Sequence, residues 1–138
     1  MEKFVKLTKE KIKEIFNECN KKYFDNKIET PVKFETWTSQ KKCVGWVRAI
    51  WNKKTKSYVS ALHISSLYNW TNENLQKVII HEMIHLYIKD YLKPLTIWKR
   101  LFGKEHDKDF IQKMNELNEK YNLNITVRAK FMKQYKRQ

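Results

Sequence analysis

The spacing of apolar positions changes along this chain, and each change marks an element. After Thr8, a good N-cap residue, Ile12, Ile15, Phe16 and Cys19 recur at helical spacing and predict a helix over about residues 9–22. Asp25-Asn26 signals a turn. From Pro31 the period drops to two, with Val32, Phe34 and Thr36 alternating with Lys33, Glu35 and Trp37. Residues 44–51 and 58–65 are also rich in β formers, and the polar run Asn52-Lys53-Lys54-Thr55-Lys56 separates them. Strands joined by short turns predict an antiparallel meander.

Thr71 is the next N-cap, and Leu75, Val78, Ile79, Met83, Ile84, Leu86 and Ile88 then spread around most of a helix. A helix apolar nearly all round is a central, buried one. Pro94 stops its continuation, and residues 91–105 read as a long loop. Asp107 opens another helix with Phe110, Ile111, Met114, Leu117 and Tyr121 on its core face. Ile125 and Val127 alternate, suggesting a last strand, and Lys130, Lys133, Lys136 and Arg137 follow with no acid among them. The expected fold is α+β: about three helices on a small, mainly antiparallel sheet. It forms a single monomeric domain over residues 1–138 with a basic tail from about 128 to 138.

Composition narrows this picture. A chain of 138 residues, 41% hydrophobic and with two glycines and two prolines, can bury a core without a disulfide framework. Cys19 and Cys43 stand too far apart for a Cys-x-x-Cys half-site, which excludes a zinc ribbon within this sequence and reads as reduced thiols. The stretch from Met1 to Lys11 has no apolar core, so no signal peptide is expected, and no apolar run approaches a membrane span. A cytoplasmic location without membrane contact is the expectation. Charge points to a partner: 29 Lys and Arg against 15 Asp and Glu give a net charge of +14, which attracts polyanions, nucleic acid above all.

The chemistry concentrates in His81-Glu82-Met83-Ile84-His85. Four residues apart on a helix, His81 and His85 stack on one face, where two imidazoles can bind one zinc ion at about 2.0–2.1 Å each. Glu82 lies about 100° round the helix from His81, which sets its carboxylate beside the metal. There it can take a proton from water activated by the metal and return it to a leaving amine. The pattern predicts metal-assisted hydrolysis of peptide bonds, with one Zn2+ per chain and a protein substrate. Chance gives such a motif in roughly one chain of this size in a hundred. Its setting between Val78-Ile79-Ile80 and Met83-Ile84 argues against two surface histidines, because burying such a triplet is costly unless it is paired or metal-bound.

A catalytic zinc takes a third protein ligand. His106 follows the loop after the motif helix and can fold back to the metal, with Glu105 and Asp107 as carboxylate alternatives. His63, on a strand, reads as a packed or hydrogen-bonded side chain rather than a ligand.

Around this motif the chain resembles the SprT-like zinc metalloproteases, the family of the Spartan-type proteases of DNA–protein crosslinks. The resemblance runs over nearly the whole length. It rests on Ile15-Phe16-Asn17-Glu18-Cys19-Asn20-Lys21-Lys22-Tyr23-Phe24-Asp25-Asn26-Lys27-Ile28, Gly45, Leu62-His63-Ile64-Ser65, the core from Val78 to His85, His106-Asp107-Lys108-Asp109-Phe110 and Asn124-Ile125-Thr126-Val127. It implies a zincin-like, minimal gluzincin core, His106 as third zinc ligand, a substrate lying extended along a sheet edge, a role in DNA repair and, in a bacterial or viral setting, a nucleoid-associated location. The sequence departs from the family in two places. Asp107 stands where the family has glycine, and no C-terminal zinc ribbon or long regulatory tail follows.

Lys33, Lys41, Lys42, Arg48, Lys53, Lys54 and Lys56 accompany Trp37, Trp46, Trp51 and Tyr58 in the sheet region, with Glu35 as the acid nearby. Cations interleaved with flat rings suit single-stranded DNA; the bland alternative is that the rings face the core. The loop Ile97-Trp98-Lys99-Arg100-Leu101-Phe102 and the basic tail are further candidate surfaces. Two rival readings remain: a basic DNA-binding or adaptor module with a structural or inactive zinc, and a peptidase for one specific regulatory protein.

Overall fold

The computed structural model describes residues 3–29, 32–36, 44–88 and 108–137. Along the chain run β1 (Phe4–Val5), α1 (Lys9–Tyr23), β2 (Val32–Glu35), β3 (Gly45–Asn52), β4 (Ser57–Ile64), β5 (Trp70–Thr71), α2 (Asn72–Tyr87) and α3 (Lys108–Tyr121). A 3₁₀ helix follows at Lys130–Tyr135. The architecture is α+β, as expected.

Both cap residues act as their sequence suggests. Thr8 accepts a hydrogen bond from the Lys11 N–H at 3.0 Å, and Thr71 accepts one from the Asn74 N–H at 3.1 Å. Each satisfies a backbone donor that the first turn leaves without a helical partner, stabilising its helix by about 1 kcal/mol. After α1, Asp25 and Asn26 take positive φ angles of 50° and 58°. The Asn20 side chain then clamps Ile28 through both its N–H and its carbonyl.

Strands β2, β4 and β3 form a sheet in that order. Strands β3 and β4 are an antiparallel hairpin, and β2 runs parallel to β4. The expected meander is therefore corrected, since β2 borders β4 and not β3. Burial supplies the reason. Residues 60–65 are buried without a break, so β4 takes the inner position, while β2, with Lys33 exposed, and β3, with Arg48 exposed, lie outside it.

One sheet face carries Phe34, Val47, Leu62 and Ile64 and meets the helices. Phe16 of α1 sits edge-on to Phe34, with ring centroids 5.2 Å apart. Helix α2 is the central element, with Leu75, Val78, Ile79, Ile80, Met83, Ile84 and Leu86 buried, and it packs against α1, α3, β3, β4 and β5. Gly45 makes part of this contact possible. A Cβ there would lie 3.0 Å from Val78 Cγ1 and 3.2 Å from the His63 carbonyl oxygen, so a larger residue would require α2 or the edge strand to give by a few tenths of an ångström.

The C-terminal region departs from the expected strand. Asn122 and Asn124 have φ angles of 56° and 59°, a left-handed conformation that asparagine tolerates but no β ladder accommodates. Ile125 is held by Asn118 of α3, which accepts from the Ile125 N–H at 2.6 Å and donates to its carbonyl at 2.8 Å. The basic run beyond folds into the 3₁₀ helix around Met132, which is 0% exposed. Its end is pinned to residues 67–69: Asn69 N–H donates to Tyr135 O at 2.8 Å, and Arg137 N–H donates to Leu67 O at 2.7 Å. Strands β1 and β5, which periodicity did not reveal, pair antiparallel just ahead of α2. No described helix is long and apolar enough to cross a membrane.

Candidate metal centre

His81, Glu82 and His85 all lie in α2, and their ligand-capable atoms fall within 4.8 Å of one another. The i, i+4 spacing brings the imidazoles together as expected, with ring centroids 5.3 Å apart. Glu82 is 4% exposed, and its Oε1 lies 3.7 Å from His81 Nε2. Two imidazole nitrogens and a neighbouring carboxylate are a donor set that fits zinc.

The tautomer of neutral His81 is set by a contact the sequence does not announce. Its Nδ1 lies 2.8 Å from the Thr126 carbonyl oxygen. A carbonyl can only accept, so Nδ1 carries the proton and Nε2 presents its lone pair on the side of Glu82. Carbonyl-to-histidine contacts of this kind orient metal-binding imidazoles. Thr126 is itself held in a tight turn, its hydroxyl donating to the Arg128 carbonyl at 2.7 Å. The Asn118 clamp on Ile125 fixes the residue before it.

Phe110 of α3 backs the pair. It is fully buried, with its ring 4.9 Å from that of His81 and 4.5 Å from that of His85. From sequence Phe110 read as one core residue among several; the structure places it against both imidazoles. Apolar backing of this kind lowers the local dielectric and keeps the rings from turning.

A groove of about 400 Å³ opens beside His81 and Glu82. Val44, Gly45 at the start of β3, and Val78 line it, together with residues 126–131 and Lys133.

The remaining predicted residues separate clearly. His106, with Glu105 and Asp107, lies outside the described residues, as do Trp37, Lys41, Lys42 and the loop bearing Trp98. His63 is 3% exposed, stacks on Trp46 at 4.6 Å with the rings 5° from parallel, and accepts from Arg48 Nε at 3.2 Å. Its register opposite Trp46 puts it on the sheet face away from α2, so it is the packed, hydrogen-bonded histidine expected. Trp51 is 50% exposed, and Lys53 and Lys54 are exposed in the adjoining turn. Cys19 is buried, and desolvation first of all pushes its thiol up to about 11, so it stays protonated and inert at neutral pH.

The model of the SprT-like family matches residues 12–129. The chain belongs to the SprT-like family. This agrees with the resemblance drawn from the motif and its flanks, and it makes the protein a member of a metallopeptidase family. No curated protein matches the chain. Among solved structures it is similar to the metallopeptidase zymogen jannalysin of Methanocaldococcus jannaschii, at 22% identity and a TM-score of 0.37. That match covers 81% of this chain and 94% of that one.

Proposed function

We propose that the protein is a zinc endopeptidase in which His81 and His85, with His106 as third ligand, hold one zinc ion and Glu82 is the general base. The observation that carries this reading is the buried Glu82 carboxylate beside two imidazoles, one of which has its tautomer set by the Thr126 carbonyl. Zinc, when bound, supplies Lewis acidity that polarises the scissile carbonyl and makes water acidic near neutral pH. Glu82 takes the proton of the attacking water and passes it to the leaving amine. Thr126 and Phe110 hold the imidazoles in place while that proton moves. The groove beside His81 and Glu82 receives the peptide.

The substrate in this reading is a DNA-associated or DNA-crosslinked protein. The net charge of +14 and the hairpin turn, where exposed Trp51 adjoins Lys53 and Lys54, support it, since a ring can stack on a base while ammonium groups meet the backbone. Arg48 is less suited to this role because its guanidinium is engaged with His63. The test is cleavage of a basic DNA-binding protein with and without single-stranded DNA. Acceleration by the DNA, lost at high salt, is expected; equal rates would remove DNA from the reading.

A further inference from the structure

We infer that the groove beside Glu82 selects acidic side chains of the peptide substrate, with Arg128, Lys130 and Lys133 as specificity-determining residues. This inference rests on the peptidase reading. Lys77, Arg128, Lys130 and Lys133 line the groove, and Glu82 is the acid among its described lining residues. Lys77 is already engaged, 3.5 Å from Glu73 and 5.4 Å from the centre of the Phe131 ring. Arg128, Lys130 and Lys133 have no ion-pair partner among the described residues. Arg128, Lys130 and Lys133 are all exposed.

These cations stand on fixed backbone. The Thr126 hydroxyl holds the Arg128 carbonyl, and buried Met132 anchors the 3₁₀ helix that carries Lys130 and Lys133. Positive groups placed in advance around an apolar floor that includes Val78 and Val127 fit a peptide with Asp or Glu beside the scissile bond. A nucleic-acid strand fits less well, because its phosphodiester would meet the Glu82 carboxylate where a peptide presents a neutral amide. In a DNA-bound protein, cleavage would therefore fall in acidic segments and spare the basic ones that touch DNA.

The test uses fluorescent peptides of one length, identical except that two central positions are Glu, Gln or Lys. Their binding to zinc-loaded Glu82→Gln protein is measured by anisotropy, and their kcat/KM on the unaltered protein. Each exposed charge pair contributes from about 1.4-fold to about fivefold, so the peptide with two Glu is expected to bind between about twofold and about 25-fold tighter than the Gln peptide, with the gap shrinking as salt rises. Arg128→Glu/Lys130→Glu/Lys133→Glu should reverse the order, and Arg128→Gln/Lys130→Gln/Lys133→Gln, a milder change on the surface, should abolish the gap. Equal binding of Glu and Gln peptides, or a gap that survives in the Gln variant, overturns the inference. If a single-stranded oligonucleotide displaces the Glu peptide and binds tighter through the same cations, they belong to nucleic acid and the inference is likewise overturned. A binding preference without cleavage of any peptide would support the groove assignment while refuting the peptidase reading.

Discussion

Helix α2 and the segment 122–137 wall the same groove, yet they reach their conformations by opposite routes. The helix is specified locally: Thr71 caps it, apolar residues surround it, and the histidines fall one turn apart by spacing alone. The segment has an alternating Ile125 and Val127 that suggests a strand, but Asn122 and Asn124 in left-handed conformation and the Asn118 clamp direct it elsewhere. The helix supplies the groups proposed to do chemistry. The segment supplies the carbonyl that orients one of them and the cations that line the approach. A strong local pattern can carry reactive groups, but their alignment and surroundings come from a region whose shape is set by contacts distant in sequence.

Removing chemistry from the helix should have the largest effect. Glu82→Gln is expected to keep zinc at one per chain, measured by metal analysis, while kcat/KM falls about 10²–10⁴-fold, the usual contribution of a general base. Retained cleavage would break the assignment of chemistry to α2. Metal analysis of His106→Ala completes the test, with loss of zinc expected if that residue is the third ligand.

Stability separates the two walls next. Ile79 and Met132 are both 0% exposed. Ile79→Ala should cost about 2–5 kcal/mol in denaturant unfolding. Met132→Ala should cost less globally and instead raise amide exchange within residues 125–137, because that segment can open by itself. Equal global losses with no local change in exchange would show that the segment is as integral to the core as the helix.

A smaller effect tests the link between the walls. Asn118→Ala frees Ile125 and thereby the Thr126 carbonyl that fixes His81. Zinc affinity should fall about tenfold, at the low end for groups behind metal ligands, and competition with a chelator would measure it. Unchanged affinity would mean that the carbonyl is held without the clamp. Smallest of all, Thr71→Ala should lower stability by about 1 kcal/mol with the metal geometry intact, since it removes the cap alone.

Much of the candidate site was legible because its signals are short in range. The spacing of His81 and His85 and the offset of Glu82 can each be read within a few positions. Phe110 was legible as a core residue but not as the ring behind both histidines, since that role depends on how α3 packs on α2. The hydrogen bond from His81 to Thr126 was not legible, because a backbone carbonyl has no signature in side-chain identity. The Asn122 and Asn124 pair was the available sign that residues 122–126 would not form a strand.

The sequence by itself determined the three α-helices, the caps of α1 and α2, the hairpin and the ligand spacing, because capping and periodicity act over one or two turns of chain. Tertiary structure alone decided that β4 would be the inner strand, that His63 would face away from α2, and that the basic run after Val127 would wall the groove. Those outcomes depend on which surfaces bury one another and on hydrogen bonds between residues far apart in the chain, and local patterning carries no record of either.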